Sequence, residues 1–200
     1  MVKRFDCFKL LASYLDERAV TVTSRGGNAR EWAYLRPQGA NFHSLNLGTC
    51  LPFAIGLSLA FPRRKVIAID SDGSLLLDTS SLVTLADVSP RNLITLVFDN
   101  QAYANMGPTA TARSADLEKM AQGAGVKKTA TITSVEAFAV AIKQALETDE
   151  LSFFVMKSES GRARVKVNSR MIHGRPMLEN FITAIRPNPD DEENASGSED

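Results

Sequence analysis

Two apolar runs of strand length constrain the fold of this chain more than any other feature. Val66 to Ile69 and Leu93 to Phe98 are continuous, not alternating, as expected for strands covered on both faces. Each runs into acids. The first leads to Asp70-Ser71-Asp72-Gly73-Ser74, the second to Asp99-Asn100. Between them Leu82, Val83, Leu85, Ala86 and Val88 read as a helix that ends before Pro90.

The same alternation extends in both directions. Phe5, Phe8, Leu11, Ala12 and Leu15 recur at helical spacing, which predicts an amphipathic helix over about residues 4–16. Ala19 to Thr23 reads as a short strand, followed by a polar glycine loop, Ser24-Arg25-Gly26-Gly27-Asn28. Gly48, Ala54, Gly56 and Ala60 suit a helix packed closely on a sheet. Pro52 is tolerable only in its first turn, so that helix starts near Leu51. Ser114 is expected to cap a helix running to about Gln122 and ended by Gly123 and Gly125. Thr133 and Glu136 form a T-x-x-E capping box for a helix bearing Val135, Phe138, Ala139, Ile142 and Leu146 on one face. Leu151 to Met156 is a last buried strand. Strands alternating with helices predict a three-layer α/β/α fold on a mainly parallel sheet.

The ends of the chain differ in kind. Asp6 and Lys9 interrupt the N-terminal stretch, which does not read as a signal peptide, and no apolar run is long enough to span a bilayer. A cytoplasmic protein is expected. Arg162, Arg164, Lys166, Arg170, His173 and Arg175 crowd a segment with few apolar partners, read either as a solvated arm or as an arm docked on a partner or over an anionic site. Six acids lie between Asp190 and Asp200, and disorder is expected there. The division is therefore 1–157 for the core domain, 158–185 for the basic arm and 186–200 for the acidic tail. Lys+Arg and Asp+Glu balance at 23 each, so no overall field favours nucleic acid or an anionic membrane as a partner. Cys7 and Cys50 match neither a disulfide framework nor zinc-ligand spacing, and Cys50 is expected as a buried thiol.

In open α/β sheets ligands bind beyond the carboxyl ends of the strands. If the two acid-bearing strands are neighbours, Asp72, Asn100 and a backbone carbonyl just after Asn100 can converge. These are hard oxygen donors, suited to Mg²⁺ or Ca²⁺. Gly73 lets a phosphate approach the backbone, and Ser74 offers an N–H and a hydroxyl. Taken alone, Asp72-Gly73 is equally a turn dipeptide.

The spacing of these residues carries a resemblance. Ser71-Asp72-Gly73 and Asp99-Asn100, with Asn100 lying 28 positions after Asp72 (100 − 72), resemble the GDG…N signature of thiamine-diphosphate enzymes. Upstream, Leu47-Gly48-Thr49-Cys50-Leu51-Pro52-Phe53-Ala54-Ile55-Gly56 resembles that family's MG-x-x-LP-x-A-I-G segment. The likeness covers about residues 5–157 and is nearest the sulfopyruvate and phosphonopyruvate decarboxylase branch, in which the diphosphate-binding (PP) and pyrimidine-binding (PYR) domains can be separate chains. "NFHSLNLG" and "SPRNLITLVFDNQAY", followed by Met106-Gly107-Pro108-Thr109, carry that narrower likeness.

The resemblance implies a ThDP-binding fold of PP type, with thiamine diphosphate and Mg²⁺ as cofactors. It implies Asp72, the Asn100 side chain and the Ala102 carbonyl as metal ligands. Gly73, Ser74 and the backbone near Tyr103 would hold the diphosphate, with the Gly26-Gly27-Asn28 loop as a further contact. Leu47, beside Gly48, would hold the cofactor bent, while the Leu45 carbonyl and the Leu47 N–H meet its aminopyrimidine edge. Without the motif, Leu45 and Leu47 would read as ordinary core. The implied reaction is decarboxylation of a small 2-oxo acid, with the cofactor as electron sink. The activating glutamate is expected on a PYR-domain alpha subunit, in a hetero-oligomer of at least α₂β₂, so no catalytic residue is assigned in this chain.

Some positions depart from the pattern. Ser71 stands where the family has glycine, which matters if the position needs a positive φ or close phosphate approach. Asp78 stands where relatives often carry Asn or a similar polar residue. His43 stands in an aromatic position and reads as structural, or as catalytic or substrate-binding. Asp70 adds charge beside Asp72. A sulfonate or phosphonate substrate calls for Arg or Lys, for which Arg25, Arg36 and Arg113 are candidates. Two other readings stay open: a carboligase subunit of acetolactate-synthase type, and a non-catalytic binding module with a degenerate site.

Overall fold

The computed structural model describes residues 1–104 and 106–186. Six strands form one all-parallel sheet: β1 (Val20–Ser24), β2 (Asn41–Leu45), β3 (Val66–Ser71), β4 (Leu93–Asp99), β5 (Thr129–Ile132) and β6 (Ser152–Lys157). Their order across the sheet is β2-β1-β3-β4-β6-β5. The acid-bearing strands are neighbours, with Asp70 opposite Val97 and Ser71 opposite Phe98. From β1 the chain goes one way to β2 and returns on the other side as β3. The loops after β1 and β3 therefore diverge, and a crevice opens between them.

The continuous apolar runs divide between two cores by alternation. Val66 and Ala68 of β3 face a layer made by α3 (Cys50–Ala60), α5 (Ser81–Val88), α6 (Leu117–Ala124) and α8 (Gly174–Ile185). Ile67 and Ile69 face α1 (Arg4–Tyr14), α2 (Gly27–Leu35) and α7 (Val135–Glu147). On this second face Phe8 packs edge-on against both Trp32 and Phe98. Cys7 and Cys50 are both free and buried. Among the described residues no helix is long and apolar enough to cross a membrane.

Several local expectations need correction. The glycine loop is short, because Gly27 already opens α2, with Gly26 at φ 103° as its N-cap. The helix was hidden because its buried face includes the polar Asn28 and Glu31. The edge strands β2 and β5 were not read as strands, since NFHSL and TATI lack a long apolar run. The α6 cap is Asp116, which accepts from the Lys119 N–H; Ser114 instead closes the preceding 3₁₀ turn through its own N–H. Gly123 lies inside α6, and only Gly125 ends it. The α7 cap is Ser134, one residue after the expected Thr133, and its hydroxyl oxygen accepts from the Ala137 N–H at 3.1 Å.

The arm is not simply solvated. Its arginines are exposed, but within it α8 buries Met177 and Phe181, and Phe181 packs edge-on against Phe42 of β2. Residues 187–200 of the acidic tail lie outside the described residues.

Candidate functional site

All strands point the same way, so the loops after β1, β2, β3 and β4 gather at one edge of the sheet. At the end of β3 the chain turns at once into a single helical turn, α4 (Asp72–Leu75). Ser71 is its N-cap, with φ −126° and ψ 160°, and its hydroxyl oxygen accepts from the Ser74 N–H at 3.4 Å. This is extended backbone that any residue adopts, so the position makes no demand for glycine. The Ser74 hydroxyl oxygen accepts from the Gly48 N–H at 3.1 Å, which ties the two sequence motifs together. Both groups that Ser74 was expected to offer a phosphate thus have partners within the chain.

Asp72 is 1% exposed. Its Oδ2 accepts from the Thr109 hydroxyl at 2.7 Å, while its Oδ1 is buried with no partner among the described residues. Burial raises the pKa of this carboxyl, opposed first by the Thr109 bond. Asp99 makes the contrast. Thr111 Oγ1 and the Gln101 N–H donate to its Oδ1, and Lys157 Nζ sits 2.5 Å from its Oδ2. Of the two acids, only Asp72 has a buried oxygen with no partner among the described residues. Asp70 is buried as well, and desolvation lifts it to about 6 against hydrogen bonds from Ser74, Ser71 and Ser24.

The loop after β4 closes over this carboxylate. Gln101 takes φ 62° and Ala104 φ 47°, and the Thr109 N–H returns to the Gln101 carbonyl at 3.0 Å. The Thr109 and Thr111 hydroxyl oxygens lie 2.7 Å apart, between Asp72 and Asp99. Neither threonine has a role in the motifs of the sequence. Thr109 is extended and Thr111 lies in the 3₁₀ turn Ala110–Ala112, so no strand or helix periodicity marks the pair. Asn100 is half-buried, and its Oδ1 accepts from the Ala102 N–H at 3.2 Å.

The remaining predicted residues fall around the same edge. A Cβ at Gly73 would overlap the Tyr103 ring, so an aromatic face covers the glycine where a phosphate was expected. Asn28 is buried in the first turn of α2. Its amide donates to Ser24 Oγ at 3.1 Å, and its carbonyl oxygen has no partner among the described residues. The Leu45 carbonyl accepts from the Arg25 N–H at 3.0 Å, which leaves it one lone pair. Leu47 is 39% exposed just beyond β2, followed by Gly48 at φ 84°. Asp78, which sequence reading left without an account, accepts the Ser80 hydroxyl ahead of α5.

The donor set is compatible with a hard divalent cation. Among the described residues no three or more His, Cys, Asp or Glu side chains are grouped to hold a metal. A cation here would rest on Asp72 Oδ1, amide or carbonyl oxygens such as those of Asn100 and Ala102, and oxygens of its ligand. That composition suits Mg²⁺ with a phosphate.

A second cavity, of about 820 Å³, opens beside the ends of β1 and β2. Arg25, Arg30, Arg162, His43 and His173 line it. Arg36 does not reach it; its guanidinium donates to the Leu15 and Asp16 carbonyls and holds the turn before β1. Arg113 is exposed and lines neither site.

Comparison with known proteins bears on the family and the fold. The sulfopyruvate decarboxylase subunit beta of Methanocaldococcus jannaschii is 33% identical over 159 residues, covering 78% of this chain and 84% of the relative. The phosphonopyruvate decarboxylase of Streptomyces viridochromogenes is 31% identical over 148 residues, which are 73% of this chain and 37% of that longer protein. Among solved structures, benzoylformate decarboxylase from Polynucleobacter necessarius superimposes with a TM-score of 0.69 at 16% identity, over 81% of this chain and 34% of that one. Residues 27–156 match the C-terminal TPP-binding domain of thiamine pyrophosphate enzymes, and the chain belongs to that family.

Proposed function

We propose that this chain is the PP subunit of a cytoplasmic decarboxylase that uses thiamine diphosphate and Mg²⁺. Its substrate is a small 2-oxo acid of sulfopyruvate or phosphonopyruvate type. The observation that carries the reading is the buried Asp72 carboxylate at the sheet edge, with one oxygen fixed by Thr109 and the other without a partner among the described residues. The names of the related proteins support the substrate class and the presence of a partner chain.

Asp72, Asn100 and the Ala102 carbonyl would hold the metal, and Thr109 would keep the Asp72 carboxylate oriented. Gly73, Ser74, Tyr103 and the Gly26-Gly27-Asn28 turn would surround the diphosphate. Leu47 would support the ring system from below, with Leu45 and Gly48 shaping its bed. Thiamine diphosphate, when bound, supplies the electron sink that loss of CO₂ from a 2-oxo acid requires. The chain's own residues bind and orient, and nothing in its sequence matches the glutamate that starts the reaction. That role falls to a PYR-domain alpha subunit in an assembly of at least α₂β₂.

The test has two arms. With thiamine diphosphate, Mg²⁺ and sulfopyruvate or phosphonopyruvate, the chain alone should release no CO₂, and adding a PYR-type partner should switch release on. Decarboxylation by the chain alone overturns the division of labour. Calorimetry that finds no thiamine diphosphate binding, with or without Mg²⁺ and partner, overturns the cofactor assignment.

A further inference from the structure

The cavity beside β1 and β2 brings together residues far apart in sequence. Arg25 follows β1, Arg30 lies on α2, His43 on β2, and Arg162 and His173 in the C-terminal segment. None of the three guanidiniums pairs with a carboxylate among the described residues, and no acidic side chain lines the cavity. All three arginines are exposed, and together they give the cavity a positive potential that favours an anion.

The placement of Arg162 is built into the fold. Glu31 on α2 is 1% exposed, and its Oε1 accepts from the Ala163 N–H at 2.8 Å. Arg4 bonds both Glu31 oxygens and also donates to the Gly161 carbonyl at 3.2 Å. Both neighbours of Arg162 are thus fastened to the core while its side chain lines the cavity. A second observation is independent of the arginines: His43 is 4% exposed, lines the cavity, and has a buried Nδ1 with no partner among the described residues.

The cavity shares Gly26 and Leu45 with the loops assigned to the cofactor, but neither the Asp72 turn nor the 100–103 loop lines it. It therefore adjoins the cofactor loops at Gly26 and Leu45 and lies apart from the residues assigned to the metal. Guanidinium forks match the oxygens of a tetrahedral oxyanion in two-point contacts.

We propose that this cavity takes the tetrahedral oxyanion tail of the substrate, with Arg30 and Arg162 as the residues that select it. The inference rests on the functional reading above and names what sets its substrate class. It also gives the basic arm a role: the arm supplies one wall of the pocket.

The experiment is calorimetric titration of the full chain with sulfoacetate and phosphonoacetate, two-carbon acids that carry the tail, with acetate as control. Both probes should bind saturably and acetate should not, and the tighter of the two identifies the preferred tail. Arg162→Gln and Arg30→Gln should each weaken binding by about tenfold or more, while the exposed Arg113→Gln leaves it unchanged. Probes that bind no better than acetate, or variants at 162 and 30 that bind like wild type, overturn the proposal. So does an equal loss from Arg113→Gln, which would mean a general charge effect. Titration with thiamine diphosphate is read separately. Its failure in the wild-type chain removes the functional reading and leaves the anion result standing.

Discussion

The Thr109 hydroxyl lies 2.7 Å from Asp72 Oδ2, and the other oxygen of that buried carboxylate has no partner among the described residues. A buried carboxylate with half its lone pairs unused costs stability unless a cation or proton joins it. Asp72→Asn keeps an oxygen for Thr109 and removes the charge. The expected outcome is a cofactor-free melting temperature that is unchanged or higher, together with loss of Mg²⁺-dependent thiamine diphosphate binding. Thermal unfolding and calorimetry on the same sample check both. A variant that titrates like wild type removes Asp72 from the metal site.

Ser71 occupies extended backbone and caps α4 with its hydroxyl. Restoring the glycine common in the family should therefore gain nothing from backbone freedom. Ser71→Gly loses the cap and adds unfolded-state entropy, a cost of about 1 kcal/mol. Thiamine diphosphate affinity should tighten by no more than about twofold, which is less than 0.5 kcal/mol. A gain of tenfold would mean that the hydroxyl obstructs the phosphate.

Gly73 and Tyr103 form a pair that a double-mutant cycle can read. A methyl group at 73 would overlap the Tyr103 ring, so Gly73→Ala should cost about 2 kcal/mol by overpacking. In a Tyr103→Ala background the same change should cost less than half as much, because the obstruction is gone. Chemical denaturation of the four proteins measures the coupling. Additive effects would place the strain in the backbone and not in the ring contact.

What the sequence reveals follows from which faces are buried. β3, β4 and β6 are covered on both sides, so VIAI, LITLVF and LSFFVM read as strands without ambiguity. β2 and β5 lie at the two edges of the sheet and carry mixed sequences, and α2 hides a buried ion pair, Arg4 with Glu31, on a face expected to be apolar. Asp72 was legible because its motif is local. Thr109 and Thr111 were not, because their role depends on a loop that folds back onto β3. The cationic cavity was the least legible feature. It needs Arg30 and Arg162 to meet, and long-range bonds from Glu31 to Ala163 and from Arg4 to Gly161 hold the arm there.

His43 should make stability depend on pH in a specific window. Burial, and then the charge of His173, lower its pKa from 6.5 to about 4. Arg25, Arg30 and Arg162 line the same cavity and also oppose a further positive charge, and no acid there offsets it. Above pH 6.5 the group is neutral in both states and contributes no slope. Between 6.5 and about 4 the unfolded chain takes up a proton that the folded chain refuses, so stability falls as pH falls, by up to about 3 kcal/mol. Asp70, lifted to about 6, titrates with the opposite sign over part of this window, so the readout must be a difference between proteins. Urea unfolding of wild type and His43→Gln at pH 7.5, 6 and 5 gives it. The variant should gain on wild type steadily as the pH drops, and a constant difference across the three pH values would show that His43 is protonated or partnered in the folded state.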